Sequence, residues 1–174
     1  IRRRYPDAFG GADVWRFNVG CYLLRSQGRT ILVDTGMGAA GGVVAISMKA
    51  PGGGRLLEKL LSVGVRPEDV EVVFLSHLHR DHVGWNVRLE GGQRRLTFPR
   101  ARYVVHQADW EAFHRPEVQA AMPDNYVEQC VTPLQVLGGL DLVSGDHRFT
   151  DEVTAIPTPG HTPGHMSVVI TSGG

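Results

Sequence analysis

Three histidines and one aspartate crowd into His77-Leu78-His79-Arg80-Asp81-His82. Side chains two apart in extended backbone point the same way. His77 and His79 can therefore present two imidazoles to one metal ion. A turn after His79 would carry Asp81 and His82 past that point, to a second ion. Nitrogen and carboxylate donors without thiolate suit zinc, manganese or iron. The apolar stretch Glu71–Leu75 runs directly into the cluster and gives it a strand as a base.

Pro159-Gly160-His161 is the second piece, a sharp loop between two strand-like segments. A loop histidine alone is an ordinary structural residue. Beside the first cluster it is the natural third ligand and leaves an open position for water. Zinc held by three imidazoles lowers the pKa of its water toward ~7. Trp85, three residues past His82, is a candidate for the substrate mouth. His106 follows a strand and is expected to be a satisfied core or edge histidine, whereas His114 and His147 lie in polar contexts and are expected to face solvent.

Several elements must position these groups. Asp13–Phe17, Gly20–Arg25 and Thr30–Asp34 read as strands, the last two joined into a hairpin by Ser26-Gln27-Gly28-Arg29. Gly36–Gly54 reads as a long loop. Arg55–Val63 sets Leu56, Leu57, Leu60 and Leu61 on one helical face, with Gly64 as the stop. Arg102–His106 reads as a strand, Ala108 to His114 as a helix, and Asn125–Leu137 as weak helix disturbed by Pro133. Val153–Ile156 and Met166–Thr171 read as strands around the His161 loop. A meander followed by alternating helix and strand predicts an α/β (α+β) domain without a nucleotide-binding glycine motif.

Composition narrows the function classes. The chain has 174 residues, 42% hydrophobic and 21% charged, which is ordinary globular usage for a single domain over 1–174. Eighteen basic and 18 acidic residues cancel, which argues against a nucleic-acid partner. No stretch approaches the ~18 uninterrupted apolar residues of a membrane span. Cys21 and Cys130 are two cysteines in no ligand or disulfide pattern. They read as small buried hydrophobes in a cytoplasmic protein.

These motifs resemble those of the metallo-β-lactamase-fold hydrolases. The resemblance rests on Val33-Asp34-Thr35-Gly36, on Ser76 to His82 with Val83-Gly84 after it, and on Thr158-Pro159-Gly160-His161. It covers about Ala12 to the C-terminus. It implies an αββα sandwich with the metals at one edge. His77, His79 and His161 match the ligands of one metal, and Asp81 and His82 match ligands of a second. Asp34 matches a strand-end aspartate that supports the site from behind, and His165 matches a position that is usually not a ligand. Two divalent metals are implied for the complete protein, zinc foremost, with manganese or iron as alternatives.

The family's bridging aspartate and final histidine have no counterpart after His165. The chain therefore reads as a sandwich whose second half is incomplete, holding at most about one tightly bound metal. Leu78 and Val83-Gly84-Trp85-Asn86 look most like the lactonase and ester-hydrolase branch, including acyl-homoserine-lactone hydrolases. In that branch hydroxide generated at the metal attacks a lactone or ester carbonyl of a small-molecule substrate, with Asp81 as the catalytic carboxylate. His161-Thr162-Pro163-Gly164-His165 is shared with thioesterases resembling glyoxalase II, the alternative activity. A non-catalytic metal-binding fragment is the alternative of a different class.

Overall fold

The computed structural model describes residues 3–6, 18–39, 54–122 and 124–171. The expected strand Asp13–Phe17 and most of the expected Gly36–Gly54 loop lie outside the described residues. Strands β1 (Tyr22–Ser26) and β2 (Arg29–Val33) form the expected hairpin, with Ser26 opposite Arg29. Strand β2 then pairs in parallel with β3 (Val72–Phe74), β3 with β6 (Arg102–His106), and β6 with β7 (Leu140–Val143). The result is a five-stranded sheet in the order β1-β2-β3-β6-β7. A second, antiparallel sheet holds β8 (His147–Arg148), β9 (Val153–Pro157) and β10 (Met166–Ile170).

Alternation along the central strands explains the layering. Ile31 and Val33, Val72 and Phe74, and Val104 point toward the second sheet and pack with Phe149, Val153, Ala155 and Met166. Leu32, Val73, Tyr103 and Val105 point the other way, into a larger cluster under the helices. Parallel strands buried on both faces need such unbroken apolar runs. Helix α1 (Leu56–Ser62) adds Leu56, Leu57 and Leu60 to that cluster. Leu61, expected on the same face, is instead 57% exposed, because the apolar stripe is narrower than the sequence suggested.

Shorter elements surround and follow the histidine motif. Helix α2 (Arg80–Val83) forms within the histidine motif itself. A hairpin of β4 (Val87–Glu90) and β5 (Gln93–Leu96) turns at Gly91-Gly92, a dipeptide that signals two-residue hairpins. Helix α3 (Gln107–Phe113) is followed by α4 (Pro116–Ala120), a π-helical turn Val127–Val131, and α5 (Pro133–Val136). Pro133 thus starts a helix where a disturbance was expected, since proline is tolerated at a first helical position. Among the described residues no helix is long and apolar enough to cross a membrane.

The segment after α2 lies backbone against backbone on the turn after β2. Thr35 N–H donates to His82 O at 2.7 Å, and Gly84 N–H to Gly36 O at 2.7 Å. A Cβ on Gly84 would stand 2.2 Å from the carbonyl carbon of Met37 and 2.3 Å from Gly38 N. Gly84→Ala is therefore expected to force the two segments apart, at roughly 1–3 kcal/mol or more. A urea midpoint equal to that of the unsubstituted protein would contradict this.

Candidate metal centre

The carboxyl ends of β2, β3 and β6 lie at one edge of the first sheet, where ligands bind in open α/β sheets. Asp34 leaves β2 in the left-handed region, at φ 61°, a conformation that aspartate tolerates better than most residues. Its buried carboxylate accepts from Ser76 N–H and Ser76 Oγ, both at 2.8 Å, at the end of β3. His82 Nδ1, on α2, lies 2.8 Å from the same Asp34 Oδ2. Asp34 thus ties two strand ends to α2.

Ser76 then decides the state of His77. Its single proton goes to Asp34, so its oxygen accepts from His77 Nδ1 at 3.1 Å. His77 Nε2 is left with its lone pair, buried and without any hydrogen-bond partner. That orphaned nitrogen points to where the other imidazoles converge. The ring centroids of His79 and His161 each stand 4.8 Å from that of His77. One nitrogen from each of His77, His79 and His161 lies within 4.8 Å of the other two, and His79 Nδ1 and His161 Nε2 are 3.0 Å apart. Zinc–nitrogen bonds of about 2.0–2.1 Å in a tetrahedral set separate neighbouring ligand atoms by about 3.3 Å. One pair already stands slightly inside that spacing and the widest lies beyond it, so side-chain shifts in both directions would fit these three groups to a metal.

Asp81 and His82 sit beside this set. His82 Nε2 is 3.4 Å from Asp81 Oδ2, and its ring centroid is 4.0 Å from that of His77. Arg80, between His79 and Asp81, pairs with Asp124 and anchors α2. His165 stays outside the three-histidine set, its Nδ1 2.9 Å from Thr158 Oγ1.

Electrostatics separates imidazoles that sequence treats alike. Burial, then the neighbouring His82, His79, His161 and His165, pushes His77 down to about 3. His79 is lowered too, by burial first and then by His161. Both are therefore neutral, the form a metal requires. Burial also works against a charged His82, but hydrogen bonds to Asp34 and Asp81 overcome it and raise this imidazole to about 9. The hydrogen bond to His82 in turn holds Asp81 down at about 2.

Trp85 lines a cavity of about 470 Å³ with Cys21, Met37, Leu56 and Lys59, a lining that none of the site histidines shares. Two expectations about other histidines turned out differently. His114 does not face solvent: it is half-buried, with Nδ1 2.7 Å from Trp110 O and Nε2 3.0 Å from Thr132 Oγ1. Its partners are a backbone carbonyl one helical turn earlier and a hydroxyl 18 residues further on, neither of which the flanking polar residues announce. His147 is likewise half-buried, its ring edge-on to Phe149 at 4.9 Å, because β8 pairs with β9 over the inter-sheet core. His106 is satisfied as expected, its Nδ1 accepting from Ala108 N–H at the start of α3. Cys21 and Cys130 are free, with thiols pushed up to about 12 by burial.

Sequence reasoning missed Asp109 altogether. It is 1% exposed and accepts hydrogen bonds from Leu78 N–H, Thr162 Oγ1 and Gly164 N–H. An acidic residue in the first turn of a helix directly after a strand was the available signal. Phe113, one helical turn further, lays its ring against His79 with centroids 5.5 Å apart.

The family model of the Metallo-beta-lactamase superfamily matches residues 14–174. An N-acyl homoserine lactonase from Bacillus sp is 32% identical over 163 residues, 87% of this chain and 58% of that protein. The structure of AidC, described as a dizinc quorum-quenching lactonase in complex with a product, aligns at a TM-score of 0.63. Identity is 26%, over 88% of this chain and 52% of that one. A probable metal-dependent hydrolase from Staphylococcus aureus aligns at 0.80 with 16% identity, over 99% of this chain and 61% of that one, a likeness of fold. The chain thus spans less than two thirds of the length of these proteins.

The raised His82 has a consequence in the metal-free protein. Its folded value, about 9, exceeds the ordinary imidazole value of 6.5. Its contribution to stability is therefore complete below the ordinary value and fades as pH rises through about 9. Asp34→Asn removes one of the two carboxylates that hold the proton. The His82 midpoint, followed by nitrogen-detected NMR without metal, is expected to fall by at least a full pH unit in this variant. An unmoved midpoint would exclude Asp34 as the cause.

Proposed function

The chain belongs to the metallo-beta-lactamase superfamily, and from that premise we propose that the protein hydrolyses the ring ester of small-molecule lactones, N-acyl homoserine lactones foremost. His77, His79 and His161 would hold one divalent metal, with zinc as the proposed ion, and Asp81 and His82 would contribute to a second. One observation carries the metal reading: His77 Nε2 is buried, bears a free lone pair and has no partner where two further imidazoles converge. The names of the Bacillus sp and AidC lactonases support the substrate class.

A metal bound there supplies Lewis acidity and water of lowered pKa. The chain's own residues do the rest. Asp34 and Ser76 keep the His77 lone pair turned inward, through the hydrogen bonds already described. Asp81, held ionised and about two-fifths exposed, is suited to ligate and to accept a hydrogen bond from the attacking water. A group titrating so far below neutral pH is a weak proton store. Phe113 packs its ring edge-on against that of His79. Trp85 is assigned to the substrate through the largely apolar cavity it lines, which suits an acyl chain. We place the protein in the cytoplasm, where its free thiols would persist, and assign it no nucleic-acid partner, given its zero net charge.

The test is zinc analysis of the purified full-length protein, with a pH-indicator assay on an acyl homoserine lactone, an acyl thioester and a phosphotriester. Lactone turnover is expected to be fastest. His79→Ala should lose most of the zinc and at least a hundredfold in kcat/KM, about 2.7 kcal/mol of transition-state stabilisation. Zinc content unchanged in that variant would overturn the ligand assignment. Faster thioester cleavage would assign the protein to thioesterases, and zinc binding without turnover on any substrate would make it non-catalytic.

The 174-residue chain by itself is expected to hold about one zinc per molecule. Its second position has, among the described residues, Asp81 and His82 in hand, fewer than the three or four protein ligands of tight zinc sites. Two tightly held ions by elemental analysis would contradict this.

A further inference from the structure

We infer that Asp109 is a positioning residue of the metal centre. It clamps the loop that carries His161 onto the segment that carries His77 and His79, and it places buried negative charge beside the space they enclose. The inference rests on the metal reading above and goes beyond it to a residue outside every ligand motif.

The geometry is specific. Asp109 Oδ2 accepts from Leu78 N–H at 3.2 Å and from Thr162 Oγ1 at 2.9 Å. Its Oδ1 accepts from Gly164 N–H at 2.6 Å. Leu78 lies between two proposed ligands, and Thr162 follows the third. Through one carboxylate, segments more than eighty residues apart in sequence become neighbours, as the 3.0 Å contact between His79 and His161 requires. His161 is itself exposed and has little packing of its own to hold it. The loop runs close over α3: a Cβ on Gly164 would lie 2.5 Å from Asp109 N. Asp109 and Phe113 are four apart on α3 and share one helical face. That face meets the Leu78 backbone with one residue and the His79 ring with the other.

Charge completes the case. The three donors to Asp109 are neutral, and among the described ion pairs none involves it. An ionised carboxylate in the interior is costly unless charge compensates it. It lies near enough to His79 to act on that imidazole. A cation between His77, His79 and His161 would supply the compensation. The same carboxylate thereby aligns two ligand segments and favours a positive ion between them.

The test uses cobalt(II) as the probe in the full-length protein, because its visible absorption reports ligand geometry without turnover. Asp109→Asn keeps the shape and removes the charge. Thr162→Val removes one donor at nearly constant volume, and Thr162→Ser restores the hydroxyl. Cobalt affinity is expected to fall about 10–100-fold in Asp109→Asn and by a smaller factor in Thr162→Val, with altered absorption in both. Thr162→Ser should match the unsubstituted protein. Should Asp109→Asn fail to fold, the two Thr162 variants decide. A merely structural role would lower the metal-free melting temperature and leave cobalt affinity and absorption unchanged, and that result overturns the inference. Absence of cobalt binding by the unsubstituted protein would overturn the metal reading itself, a distinct outcome.

Discussion

One carboxylate, that of Asp34, holds the site to the fold. It sits where β2 ends, in a backbone conformation few residues adopt without strain. From there it reaches Ser76 at the end of β3 and His82 on α2. Through Ser76 it selects which nitrogen of His77 keeps its lone pair. Through His82 it orients an imidazole on the opposite side of the cluster. An anion with several donors is a stiff node, because each charge-assisted bond restrains the others. The orientation of the His77 imidazole is thus set from a residue more than forty positions earlier.

Such a node is useful only on a rigid base. The strands ending at Val33, Phe74 and His106 are the parallel core of the five-stranded sheet, buried by helices on one face and by the second sheet on the other. Backbone bonds continue past the strand ends: Asp34 N–H donates to Phe74 O, and Leu75 N–H to Val104 O. Met166 N–H donates to Ser76 O, so the second sheet is tied to the same place. The close backbone approach at Gly84 adds a further restraint, between α2 and the turn after β2. Precision at the imidazoles is inherited from packing and pairing well away from them.

The cluster also shows how little residue type says about charge. His77 and His82 have ring centroids 4.0 Å apart, yet burial and imidazole neighbours keep the first neutral while two carboxylates keep the second protonated. A cation entering beside His77 meets a ready lone pair. One using His82 must displace a proton, so its binding is coupled to pH. Asp34 and Asp109, both buried, flank the histidines from different elements. Together they bias an otherwise crowded imidazole cluster toward positive charge.

The donor set was legible in the sequence, and so was its order. Three histidines and an aspartate after an apolar strand, with a further histidine between a proline-glycine turn and the last strand, need no coordinates to suggest a metal. Local periodicity also revealed the β1–β2 hairpin, β6 and α3, because side-chain spacing records which faces are buried. What no local pattern carries is a contact between distant segments. Ser76 lay inside the motif without an assigned role, and Asp109 lay outside it, although their partners are 42 residues away in one case and 31 to 55 in the other. Strand β7 exists because β6 offers it an edge, and His114 is half-buried because Thr132 folds back onto it. Sequence by itself determined which atoms could bind a metal. Only the tertiary structure decided which lone pair is free, which imidazole keeps its proton and which buried carboxylates hold them in place, since each depends on distance and burial that chain closure alone creates.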